Sequence, residues 1–334
     1  MQLNEIWFLI VGFLFIGYFV LDGFDFGVGM ALPLLAKDDT DRRVLINTIG
    51  PVWDLNETWV VVAGASLFAA FPEWYASLFS GFYLALLLIL AALIARGVSF
   101  EYRSKGETAK WRSTFDWMIV VGSALPALLW GVAFSNIVQG VPLNAQHIYT
   151  GNLFTLLNPY GLLGGLVTLS LFLTYGLVFI TLKTEGEIKD RARSMVNKVG
   201  FVATALAAVF LGWTVIAHFT LLTLALAAVA AVSLICALLA NYIGKDGLSF
   251  SLLVLTVITA VGTLFAALYP NVLPSTTDPA FSLTIENASS TTYTLTVMTW
   301  VVAICLPLVL VYQGWTYWVF RKRVSRKSIP SASH

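Results

Sequence analysis

The sequence predicts an all-α polytopic membrane protein of about nine transmembrane helices. Three observations predict it: a scarcity of charge, repeated apolar runs of about twenty residues, and the placement of every cation on one side of the resulting chain. Of 334 residues, 58% are hydrophobic and 11% charged, and the mean hydropathy is +0.84. A soluble domain covers its surface with about 25% charged residues. A chain with so little charge needs lipid to hide its apolar surface, and one integrated membrane unit over 1–334 is expected rather than two soluble domains. The net charge of +1 carries no information about partners, and nothing points to nucleic acid.

The apolar runs fall at about 6–34, 51–72, 76–97, 115–138, 159–183, 195–217, 219–243, 249–270 and 293–320. The first begins after Glu5, lacks a basic leader and runs well beyond the roughly 7–15 apolar residues of a cleavable signal, so it reads as a retained span. The sixth and seventh are divided only by Ala217-His218-Phe219. Counting Arg96, Lys183 and Lys198, which stand at the ends of runs, with the adjoining loops, all 19 Lys and Arg fall after the first, third, fifth, seventh and ninth spans, and none falls on the other side. Lys and Arg stay in cytoplasmic loops, so the N-terminus is expected outside and the C-terminus inside. Two long connections on the outer face, about 139–158 and 271–292, hold Pro142, Pro274 and Pro279 and no Lys or Arg. Cys236 and Cys305 lie in apolar runs and read as free thiols within helices.

Ionisable groups inside a span are the first functional suspects, because each costs about 2.5–3.5 kcal/mol or more at mid-bilayer. Asp22 and Asp25 are three apart in the first span and share a helix face. Counted back from Pro33, Asp25 lies roughly 12 Å inside the cytoplasmic end. Gly23 and Gly27 form a small-xxx-small pattern that admits a neighbouring helix. In the second span the purely apolar stretch from Thr58 to Phe71 covers only about 21 Å. That is short of a hydrocarbon core of about 30 Å, so the preceding turn with Asp54 and Glu57 is expected to be drawn into the inner half. Two carboxylate pairs at similar depth suit a proton relay reached from the cytoplasm. The competing reading makes Asp54 a helix N-cap or a group at the wet interface. Trp53, beside Asp54, is a candidate contact for a quinone or lipid tail, with simple packing as the alternative.

A multi-haem protein needs several His, Met or other axial ligands. Here the histidines are His147, His218 and His334, two at the outer face and one at the chain end, and none of the five methionines pairs with one at helical spacing. No haem or metal is expected on this chain. Trp7, Trp74, Trp300, Trp315 and Trp318 near span ends read as an interfacial belt, and the basic tail from Arg321 to Lys327 favours anionic lipid headgroups.

Several motifs then converge. Asp22-Gly23-Phe24-Asp25-Phe26-Gly27-Val28-Gly29, Arg42-Arg43 with Ile46-Asn47, and Gly50-Pro51-Val52-Trp53-Asp54-Leu55-Asn56-Glu57 with Trp59 resemble subunit II of cytochrome bd-type quinol oxidases. So do Phe100-Glu101-Tyr102-Arg103-Ser104-Lys105, Trp111-Arg112 with Asp116-Trp117, Gly140-Val141-Pro142 and Tyr149-Thr150-Gly151-Asn152. Leu157-Asn158-Pro159, Pro274-Ser275-Thr276 and Leu295-Thr296-Val297-Met298-Thr299-Trp300 continue the series in order, while about 188–260 matches by hydropathy alone. The resemblance implies two four-helix bundles plus one peripheral helix in a bacterial cytoplasmic membrane. It implies an enzyme that oxidises quinol and reduces O₂ to water with two b-type haems and one d-type haem, all held by subunit I. This chain would then stabilise subunit I, be inactive alone, and contribute Asp25 and Asp54 to a cytoplasmic proton path. Subunit I, small accessory subunits, lipids and a structural quinone or lipid are the partners implied. Two other readings compete: a secondary transporter, whose second half would need charged counterparts that are missing here, and a scaffold with no proton role.

Overall fold

In the computed structural model, which describes residues 2–329, the chain is almost entirely helical. The long helices form two groups of four. The first contains α1 (Leu3–Leu35), α3 (Trp53–Ala70), α5 (Tyr83–Tyr102) and α6 (Ala109–Gln139); the second contains α8 (Pro159–Lys183), α9 (Glu187–Ala217), α10 (Leu221–Tyr242) and α11 (Asp246–Leu268). α1 and α6 pack on α8 along the seam, and α12 (Thr292–Val319) lies outside against α1 and α3 with three buried residues, Leu295, Gln313 and Thr316. Three short helices, α2 (Asp39–Ile49), α4 (Pro72–Gly81) and α7 (Leu153–Leu156), complete the set.

The seam is close because it is built on glycine. A Cβ on Gly27 would stand 1.9 Å from the Phe172 carbonyl oxygen and 2.6 Å from the Gly176 nitrogen, so α1 and α8 touch backbone to backbone. The expected small-xxx-small face is therefore used, with Gly23 against the Phe172 ring. Aromatic side chains fill the space beside it: Phe24 stacks on Phe179 with centroids 4.2 Å apart, and Phe19 meets Phe134 edge-on at 5.2 Å.

Eight helices among the described residues are long and apolar enough to cross a membrane: α1, α5, α6, α8, α9, α10, α11 and α12. The second expected span is α3, 18 residues long, whose first turns carry Asp54, Asn56 and Glu57. It runs antiparallel to α1: Asn56 meets Asp25, Trp59 meets Gly17 and Phe13, and the Ala70 carbonyl accepts a bond from Ser290 near the start of α12. The expected third span, 76–97, is divided differently. Pro72 opens α4, the chain bends at Phe82, and α5 continues to Tyr102. The break expected near 217–219 is present, held by Thr220, whose side chain accepts from the Thr223 amide at 3.0 Å.

The cationic connections gather at one end. Asp39 holds Arg103 and Arg112, Asp41 holds Arg191 and Arg326, and Asp246 holds Lys189, Arg193 and Arg323. At the opposite end the two long connections cover the helices. The Val141 N–H donates to the Pro274 carbonyl and the Val141 carbonyl accepts from Thr276, a short antiparallel pair joins Asn271–Leu273 to Leu283–Thr284, and His147 lies against Phe281. Both cysteines are free and on outward faces of their helices.

Candidate functional site: a buried carboxylate cluster around one arginine

The first three long helices and α12 converge on a polar cluster inside the bundle. Asp22 and Asp25, one turn apart on α1, are both fully buried. Asp22 Oδ1 accepts two bonds from Arg96, from Nη1 and Nη2, each at 3.1 Å. Glu57 brings its Oε2 to 4.0 Å from Arg96 Nη1. The guanidinium lies over the ring of Phe26 at 4.6 Å and near that of Phe100 at 5.6 Å, so its faces are stacked while its edge meets carboxylate. Asp25 is reached from the other side. Asn56 donates to Asp25 Oδ2 at 2.7 Å and to the Leu21 carbonyl, while Asn56 Oδ1 accepts from Gln313 Nε2 and the Tyr317 hydroxyl, both at 2.9 Å. At this level the Asn56 amide ties α12 to the α1–α3 pair, and the Trp7 indole does so again nearer the start of α12, donating to the Leu295 carbonyl and the Thr299 hydroxyl.

The cluster is unbalanced. Asp22 Oδ2, Asp25 Oδ1, Glu57 Oε2 and Arg96 Nε are buried with no hydrogen-bond partner. Three carboxyl groups surround one guanidinium, so the set is neutral only when two carboxyls carry protons. A site with spare buried acceptors and a charge that changes with proton content can take up and release protons.

Of the residues singled out in the sequence, Asp22, Asp25 and Glu57 come together here. Asp54 does not join them. Although one turn before Glu57, it is exposed on the outer side of α3, at the end where the cations gather. Trp53 is half-buried, its ring 5.1 Å from Phe100, and so it walls the cluster from that end. Arg96 corrects the sequence reading. Counted among the loop cations, it lies instead within α5 and is fully buried. Asn56, Gln313 and Tyr317 were not foreseen as site residues; the signal for Gln313 was a lone amide in an otherwise apolar run.

A model of the cytochrome bd terminal oxidase subunit II family matches residues 3–320. Subunit 2 of the cytochrome bd ubiquinol oxidase of Bacillus subtilis is 41% identical over 331 residues, covering 98% of both chains. The chain belongs to the cytochrome bd oxidase subunit II family. Subunit 2 of the cytochrome bd-I ubiquinol oxidase of Escherichia coli is 39% identical over 370 residues, covering 99% of this chain and 98% of that one. A chain in the structure of the bd oxidase from Geobacillus thermodenitrificans superposes with a TM-score of 0.76 at 16% identity, over 96% of this chain and 99% of its own, a likeness of fold. Membership, with the long apolar helices, makes this subunit II a multi-pass bacterial membrane protein.

The family name implies haem in the complex, and among the described residues the donors of this chain form no set that fits one. His147 Nδ1 is 2.9 Å from the Phe281 carbonyl, and His218 sits at the α9–α10 junction; His334 lies outside the described residues. The cavity of about 130 Å³ between the two helix groups is lined by side chains such as Phe19, Trp130, Phe172 and Leu234, with no His, Met or Cys. Among the described residues no three His, Cys, Asp or Glu side chains gather as around a metal ion.

Proposed function

We propose that this chain is the non-haem subunit of a quinol:O₂ oxidoreductase, that it stabilises the haem-bearing subunit I, and that it carries part of a cytoplasmic proton path. In this reading α3 is a ninth crossing, the N-terminus is outside, and the cationic end faces the cytoplasm. The two b-type haems and the d-type haem, and the oxidation of quinol, belong to subunit I. The observation that carries the proton role is the gradient of burial at the inner ends of α1, α3 and α5. Asp54 is exposed, Glu57 partly buried, and Asp22 and Asp25 fully buried beside Arg96. Asp54 would receive protons from the aqueous side and Glu57 pass them inward. Asp22 and Asp25 would hold them against the Arg96 charge, and Asn56 would keep Asp25 oriented. Trp53 with Phe100 would close the cluster to bulk water, or contact a quinone or lipid tail at that end.

The test is made in the intact complex. Asp25→Asn and Asp54→Asn should each lower quinol-driven O₂ reduction on the order of 10²-fold, the scale of a positioned proton-transfer group, with haem spectra unchanged. Normal turnover and normal proton uptake in both variants would leave these carboxylates with a scaffold role only.

A further inference from the structure

Outside the cluster, the side of α5 and α6 that faces away from the bundle carries a groove of about 640 Å³. Its floor is made by small residues, Ala91, Ala92 and Ala95 of α5 and Gly122 of α6. They are small for a reason: a Cβ on Gly122 would stand 2.7 Å from the Ala92 carbonyl oxygen, so the helices touch there and leave a channel alongside. Leu88, Met118, Val121 and Leu125 make apolar walls. At the cationic end the groove changes character. Lys110, Ser113, Thr114 and Trp117 line it there, all exposed on one face of the first turns of α6.

These groups are donors with unspent capacity. Among the described residues no carboxylate pairs with the Lys110 ammonium, and the Ser113 hydroxyl and Trp117 indole N–H have no hydrogen-bond partner. The Thr114 hydroxyl is already given to the Lys110 carbonyl at 3.0 Å. The nearby acid on α6, Asp116, points the other way, buried and held by Arg103 and Arg42. From Lys110 to Leu125 the groove runs about 22 Å along α6, which is one leaflet with its headgroup layer, half of roughly 40–45 Å. A mouth that carries a cation, a hydroxyl and an indole N–H at headgroup depth, and an apolar channel one leaflet long, match an anionic lipid better than a helix of another chain, which would run on across the midplane.

We infer that the α5–α6 groove seats one anionic glycerophospholipid, its phosphate on Lys110, Ser113 and Trp117 and an acyl chain over Ala91, Ala95 and Gly122. The inference is independent of the proton path, since none of these residues belongs to the carboxylate cluster. It is tested on the delipidated intact complex by native mass spectrometry during titration with phosphatidylglycerol and, separately, phosphatidylcholine. One phosphatidylglycerol should bind in preference to phosphatidylcholine. Lys110→Gln should weaken it about fivefold, the worth of one lysine at an anionic headgroup. Ala95→Phe should abolish it by filling the floor, with haem spectra showing that both variants assemble. Equal binding of the two lipids, or wild-type binding by both variants, overturns the inference. So does a near-complete cross-link from Ser113→Cys to subunit I, which would place protein in the groove.

Discussion

Replacing Arg96 with methionine removes the one cation from a fully buried cluster while keeping a side chain of similar length against Phe26 and Phe100. In the native protein Asp22 spends both of its bonds on that guanidinium, and each partner is 0% exposed. Breaking such a pair from one side costs about 3–5 kcal/mol, because the remaining charge is left unpaired in a low-dielectric site. A chain of this size shifts its midpoint by roughly 2 °C or less per kcal/mol, so Arg96→Met should lower the unfolding midpoint of the complex by on the order of 5–10 °C. Removing the stranded acid as well, in Arg96→Met/Asp22→Leu, replaces an ion pair by apolar groups and should recover most of the loss. The measurement is a thermal scan at fixed rate on the purified complex, for both single variants and the double. A single variant at the wild-type midpoint, or a double no more stable than Arg96→Met alone, would refute the idea that Asp22 depends on Arg96.

Other variants probe the remaining contacts. Gly27→Ala drives a Cβ into backbone at 1.9 Å and should cost about 1–3 kcal/mol and reduce yield, whereas Gly23→Ala meets the movable Phe172 ring at 2.9 Å and should cost less; equal losses would contradict the backbone contact. Asp41, fully buried, holds Arg326 of the C-terminal segment and Arg191 of α9, each at 2.7 Å. Asp41→Asn should therefore speed tryptic cleavage after Arg321–Lys327 by roughly tenfold, the worth of a lost charged hydrogen bond; an unchanged cleavage rate would show the segment is held otherwise. Burial lowers the pKa of His218 from its ordinary value. Because the folded value lies below the unfolded one, its stabilising contribution is complete above about pH 6.5 and is lost as pH falls through the folded value. His218→Gln should accordingly flatten the difference in midpoint between pH 7.5 and pH 5, and an unaltered difference would exclude His218 as its source.

The class of fold was legible because its causes are local. Apolar run length and the placement of cations need no knowledge of contacts, and they located α9 to α11 where no motif helped. The capping residue Thr220 explains why so short a polar break as 217–219 divides α9 from α10. The region 72–102 was less legible, since Pro72 and the bend at Phe82 interrupt an apolar stretch without changing its hydropathy. Within the site, Asp22, Asp25 and Glu57 stood out because a charge in an apolar run is conspicuous. Arg96 did not, because a rule that assigns cations to loops absorbs a cation at the end of a run. Gln313 and Tyr317 reach Asn56 from more than 250 positions away, and a pattern read along the chain carries no information about that meeting.

The contrast between the two ends of this network bears on whether the cluster serves structure alone. At the cationic end every buried or half-buried acid among the described residues meets at least two cations: Asp39 meets Arg103 and Arg112, Asp116 meets Arg103 and Arg42, Asp41 meets Arg191 and Arg326, and Asp246 meets three. The buried atoms left without hydrogen-bond partners there are two guanidinium donors, Arg191 Nη1 and Arg193 Nε, and one amide oxygen, Asn241 Oδ1, with no carboxylate oxygen among them. These arrangements tie separate connections together, as a scaffold requires. Inside the bundle the ratio is reversed. One guanidinium faces Asp22, Asp25 and Glu57, and an oxygen of each carboxyl is left without a hydrogen-bond partner. A chain that needed only rigidity could have matched those acids as it matched the others, or replaced them with apolar groups at no loss of stability. Three costly carboxyls around a single cation are what the proposed proton path needs and what a scaffold alone does not, so the contrast favours that proposal over mere support.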